Sequence, residues 1–166
     1  ALNFVSSLKE SAGIPWNALG ISGSILANLH TTNSDIDPIV YGAENCRKVH
    51  LTLKLLHKDE SSLVRAYNEE ELRALFDFRS KDTRVSFEDF VRTESRKVLQ
   101  GKYRGHDYFI RCVKGWSEVG EKYGDVHYSN AGYARIKATV LDTSESIFTP
   151  CTYKIAKVHV LEGDEK

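Results

Sequence analysis

Two acidic residues two positions apart, Asp35 and Asp37, follow the glycine-serine step Gly23-Ser24 after an interval of ten residues. In extended backbone, positions i and i+2 point to the same face, so both carboxylates occupy one side of a strand. Like charges held that close repel each other unless a cation lies between them. Glycine at the end of a strand lets backbone approach a ligand without a Cβ clash. The helix start that follows offers unpaired N–H groups and a partial positive charge, which suit a phosphate, and the Ser24 hydroxyl adds a donor. Oxygen ligands suit Mg²⁺, which shares them with phosphates. The chain must therefore fold as strand, turn, helix and strand in an α/β arrangement, and the residues alone point to metal-assisted phosphoryl transfer.

The rest of the chain gives that unit its frame. Phe4, Val5 and Leu8 at helical spacing predict a helix over 2–11, stopped by Gly13 and Pro15. Trp16 to Ile21 and Asp35 to Tyr41 read as strands, with a short helix at Ile25 to His30 between them. A helix is expected over 43–58, with Val49, Leu53 and Leu56 on one face. Another begins at Asn68, whose side chain precedes three glutamates. Ser86 and Asp89 form a capping pattern for a third helix, which Phe87, Phe90, Val91 and Val98 carry on to Gly101. Arg92 and Arg96, four apart, then share a face of it. Tyr108 to Val113 is a further strand. Residues 115–132, with four glycines, are mostly loop. Residues 133–141 alternate, with Ala134, Ile136, Ala138 and Val140 on one side and Tyr133, Arg135, Lys137 and Thr139 on the other. Short strands are expected at 147–149, 151–155 and 157–161, then a polar tail over 162–166. This predicts a small mixed sheet with flanking helices over 1–122 and a β-rich C-terminal extension over 123–166.

The stretch Ile21-Ser22-Gly23-Ser24, ten residues, Asp35-Ile36-Asp37 resembles the motif of the nucleotidyltransferase superfamily, to which DNA polymerase beta belongs. The SDID sequence and the run Ala138 to Tyr153 are similar to an archaeal group of predicted nucleotidyltransferases. The resemblance implies transfer of a nucleoside monophosphate from an NTP to a hydroxyl. Asp35 and Asp37 would bind Mg²⁺, and Gly23 and Ser24 would hold phosphates. It also implies a third carboxylate on a later strand, for which position selects Asp107, with Asp142 as the alternative. Arg104 and Arg111, flanking Asp107, are the basic residues expected to meet the nucleotide. The chain departs from the family pattern at Pro38, where an aliphatic residue is usual; proline removes a ladder donor there.

Charge and cysteines narrow the setting. Net charge is zero, but residues 79–122 carry eleven basic and seven acidic side chains, a balance of +4. That segment can meet phosphates, although the whole chain is not a polyanion-coating type. Three scattered cysteines, Cys46, Cys112 and Cys151, with no CxxC pair, fit a reducing compartment and point to the cytoplasm. No run of eighteen apolar residues is present, so no membrane span is expected. Two other readings stay open: a non-catalytic module that binds nucleotide or RNA, and the transferase half of a toxin–antitoxin-like pair acting on a protein or RNA acceptor.

Overall fold

A computed structural model describes residues 1–81, 85–130 and 132–163. Helix α1 (Leu2–Ala12) ends where Gly13 enters the left-handed region, φ 62°, and its N–H reaches the Glu10 carbonyl. Glycine enters that region without strain. The next apolar stretch is divided: Trp16–Ala18 form one 3₁₀ turn, and only Leu19–Ile21 form strand β1. The short helix α2 (Gly23–Leu26) begins at the glycine itself rather than at Ile25. Strand β2 (Pro38–Tyr41) follows, then helix α3 (Ala43–Leu56). Strand β3 (Val64–Arg65) leads to α4 (Glu69–Arg79) and α5 (Phe87–Glu94). Strands β4 (Gln100–Tyr103), β5 (His106–Phe109) and β6 (Arg111–Val113) come next. The chain closes with β7 (Ala134–Asp142) and β8 (Lys154–Gly163).

Two ladders carry the fold. β2 lies between β1, antiparallel, and β6, parallel. β4 lies between β3 and β5, antiparallel to both. A parallel bridge between Ile36 and Tyr108 joins the two ladders. In it the Ile36 N–H donates to the Asp107 carbonyl at 2.9 Å, and the Phe109 N–H donates to the Ile36 carbonyl at 3.0 Å. β5 and β6 thus behave as one strand, interrupted at Ile110, whose N–H donates to the Leu99 carbonyl at 2.7 Å. The product is an α/β fold in which two small three-stranded sheets, one of them mixed, meet at this bridge.

One face of the joined sheets is dry. Ile36, Val40, Tyr108, Ile110 and Cys112 point into it, against Phe4 and Leu8 of α1 and Cys46, Val49 and Leu53 of α3. The Phe4 ring lies 4.8 Å from that of Tyr103 and 4.9 Å from that of Tyr108. Tyr103 and Tyr108 are therefore core residues. Phe148, beyond β7, also joins this core by pairing with Cys112. The opposite face carries Asp37, Ile39 and Tyr41 of one strand and Asp107, Phe109 and Arg111 of the next, by strict alternation. Pro38 opens β2 from the buried side and faces Ile21.

Further expectations differ from the structure. α5 stops at Glu94 with Ser95 as its C-cap, so Arg92 and Arg96 do not share a helix; Arg92 pairs instead with Asp89 at 2.6 Å. Val98 is buried, but from the segment leading into β4. Of the short strands expected at 147–149, 151–155 and 157–161, the last two give way to one long strand, β8, over Lys154–Gly163, and 147–149 contribute only the Phe148 bridge. Of the tail expected at 162–166, Glu162 and Gly163 close β8, and 164–166 lie outside the described residues.

Candidate active site on the open sheet face

The turn after β1 fixes the first half of the site. Ser22 donates twice to the Asp37 carbonyl, from its N–H at 2.9 Å and from its hydroxyl at 3.1 Å. That hydroxyl is therefore not used to cap α2, whose first-turn N–H groups have no side-chain acceptor. Gly23 follows at φ 66°, and a Cβ there would collide with the Asp37 carboxylate oxygen Oδ2. Glycine is required at this position on both counts, conformation and space. Ser24 Oγ is hidden from solvent and has no hydrogen-bond partner, alone in this among the buried side-chain N and O atoms of the described residues. A buried hydroxyl with no partner is costly, and an incoming acceptor oxygen would satisfy it.

The second half is the acid-bearing strand. Asp35 and Asp37 flank the buried Ile36, so both side chains turn to the open face. The Asp37 carboxyl is pushed above its usual range, first by burial and then by the Asp35 charge, while Arg111 across the β2–β6 pair pulls it down. The repulsion between Asp35 and Asp37 is what a divalent cation would relieve. An open carboxylate pair beside a partnerless hydroxyl and free helix-start N–H groups fits a metal–phosphate pair. Among the described residues, no three His, Cys, Asp or Glu side chains converge as a complete cage.

The structure places the other expected residues unequally. Asp107 is on the same face, in the strand beside Asp35, through the Ile36–Tyr108 bridge. Its carboxylate is engaged with Lys102 Nζ at 2.8 Å, directly across the β4–β5 pair. Burial and the Asp107 charge push the Tyr67 phenol well above its usual range. Tyr67 carries no signal in the sequence, and Lys102, one of the basic residues of 79–122, is spent on Asp107 rather than left for a phosphate. Arg104 and Gly105, both at positive φ, 49° and 85°, form the two-residue turn that sets 102 opposite 107. Arg111 stands beside Asp37 on the open face, 5.8 Å from the Phe109 ring centre. Arg104 occupies the β4–β5 turn, exposed, 5.7 Å from the ring centre of Tyr103 on the buried side. Asp142, the alternative third carboxylate, ends β7, where it accepts the Ser144 N–H at 2.8 Å and faces Lys154 at 3.7 Å; it takes no part in the cluster. His30 lines a separate cavity of about 240 Å³ with His106, Ser34 and Ile36.

One end of the open face is walled. The α4–α5 pair packs through Phe76 against Phe87 and Phe90, with ring centres 5.4 and 5.3 Å apart. Glu94, buried at the end of α5, accepts from Gln100 of β4 at 2.7 Å, Lys97 at 2.5 Å and Arg79 at 3.1 Å. Gln100 shares the strand face of Lys102, so the helices are tied to the sheet beside Asp107. Much of the basic segment thus serves ion pairs within the fold.

Over 148 residues, 89% of its length, the chain is 33% identical to an uncharacterized protein of Methanocaldococcus jannaschii. The match covers 43% of that protein, so the chain spans less than half the length of the curated relative. No family model and no solved structure matches the chain. No helix among the described residues is long and apolar enough to cross a membrane.

Proposed function

We propose that this chain is the nucleotide-handling unit of a metal-dependent nucleotidyltransferase. The observation that carries the reading is the Asp37 carboxylate held against Gly23, with Asp35 beside it and the Ser24 hydroxyl without a partner. Asp35 and Asp37 would hold Mg²⁺, which when bound neutralises charge on a triphosphate and activates a hydroxyl nucleophile. The first-turn N–H groups of α2 and Ser24 Oγ would receive the β- and γ-phosphate oxygens. Arg111 would steady the charge beside Asp37. The acceptor oxygen would bond to the α-phosphorus as the bond to the β-phosphate bridging oxygen breaks, with pyrophosphate leaving. Asp107, once released by Lys102, would take the acceptor proton. An RNA or protein hydroxyl is an eligible acceptor, and Arg104 is not needed.

Isothermal titration of ATP, with and without Mg²⁺, tests this proposal. Binding should require Mg²⁺ and weaken at least tenfold in Asp35→Asn and Asp37→Asn. Unchanged metal-dependent binding in both variants would refute the reading. A second reading has its own support, because Lys102 already neutralises Asp107. A non-catalytic nucleotide or RNA binder would bind without metal and weaken steeply with salt.

A further inference from the structure

We infer that the Lys102 ammonium stands in this site in place of a second divalent cation, so that a bound nucleotide is served by one metal ion, held on Asp35 and Asp37. The inference rests on the metal-binding role proposed above for those two acids. It adds which acid is withheld from metal, and by what.

The strand register places the groups. Arg65, Lys102 and Asp107 lie in one cross-strand row over β3, β4 and β5. The Ile36–Tyr108 bridge extends that row to Asp35, which sits beside Asp107 on the open face. Three carboxylates therefore share the face, as a site for two cations would need, but they are not equally available. Asp35 is exposed. The Asp37 carboxyl is pushed up by burial and then by the Asp35 charge, the mark of a pair short of positive charge. Asp107 already has a positive charge in contact, because its Oδ2 accepts from Lys102 Nζ at 2.8 Å. The Tyr67 phenol lies against the same carboxylate.

Lys102 is fixed in this role by its surroundings. Its side chain is only 17% exposed, although lysine is ordinarily among the most exposed residues. Glu71, on the far side of Arg65, is taken: its two oxygens receive Arg65 at 2.7 Å each, and one also accepts the Asn68 N–H at 2.9 Å. Swinging away from Asp107 would carry the ammonium toward Arg65, its neighbour in the row and a like charge. A divalent cation on Asp107 Oδ2, bound at about 2.1 Å, would stand no more than about 5 Å from that ammonium. The first cation relieves repulsion between Asp35 and Asp37; a second would create it between itself and Lys102. Asp107 is thereby kept for the acceptor proton.

Equilibrium dialysis of the 166-residue chain against Mn²⁺ and a non-hydrolysable ATP analogue, with both retained species measured, tests the inference. The parent should retain one Mn²⁺ for each analogue, and so should Lys102→Arg, which keeps the charge. Lys102→Met, similar in length but neutral, should retain two, and the second should vanish when Asp107→Asn is added. A residue with only a structural role would not change this ratio. Near-UV circular dichroism reports whether Lys102→Met keeps its core. If it does not, Asp107→Asn alone decides: Mn²⁺ affinity should weaken less than about threefold, against about tenfold or more for Asp35→Asn, because only Asp35 is a ligand. Two ions per analogue in the parent, or one in a folded Lys102→Met, overturns the inference and leaves the metal role of Asp35 and Asp37 standing. A loss in Asp107→Asn as large as that in Asp35→Asn does the same. A parent that retains no analogue in Mn²⁺ overturns the underlying reading as well.

Discussion

Gly23 and Asp37 illustrate how tightly single residues are fitted in this site. Gly23→Ala places a methyl against the Asp37 carboxylate at a backbone angle alanine disfavours. Its expected cost is about 1–2 kcal/mol from conformation alone, more if Asp37 cannot move, read as a shifted urea midpoint. Asp37 carries a signed pH effect. Its carboxyl is raised in the fold by burial and by Asp35, so folding favours the protonated form. That contribution is complete below the ordinary aspartate range and disappears as pH rises through the raised value. Asp37→Asn should therefore melt at a higher temperature than the parent at neutral pH, with the difference closing on acidification to about pH 3. Scanning calorimetry across that range checks it; a variant less stable at neutral pH would contradict the repulsion inferred here. Divalent cation should raise the parent's melting temperature and leave Asp37→Asn nearly unaffected.

Among the elements, those with end signals in their own sequence were the legible ones. Asn68 accepts from the Glu71 N–H at 2.9 Å while Glu71 accepts from the Asn68 N–H at 2.9 Å, a complete capping box at the head of α4. Asn68→Ala should lose about 1 kcal/mol in urea unfolding. Glu71 also receives Arg65 through two bonds of 2.7 Å, so part of the loss would be felt at β3. α3 followed from Val49 and Leu53, and β7 from its alternation. α5 was read too long because Val98 continues its apolar spacing, but Ser95 ends the helix before Val98 is reached. β4 carried no strand signal of its own. Gln100 is buried through its bond to Glu94, and Gly101 is there because a side chain would strike the Arg65 carbonyl and the Tyr108 ring. Those reasons lie in partners far along the chain. The Gly-Ser step and both aspartates were legible as a cluster because all lie within fifteen residues. The engagement of Asp107 by Lys102 depended on a turn whose register no local spacing announced.

At the scale of the whole molecule, stability is concentrated where α1 and α3 meet the sheet. Leu53, wholly buried there, should cost about 2–5 kcal/mol when cut to alanine. Val158→Ala on the half-exposed hairpin should change the urea midpoint far less, and equal losses would mean that the core has been misplaced. The bridge at Ile36 gives this arrangement a further meaning. The residue between the two acids is also the rivet between the two ladders, so sliding one ladder past the other would pull the acids out of register with Asp107. The placing of the acids and the integrity of the sheet then share a single pin. Denaturant should abolish ligand capture and backbone order at one midpoint, leaving no window in which a folded but slackened site survives.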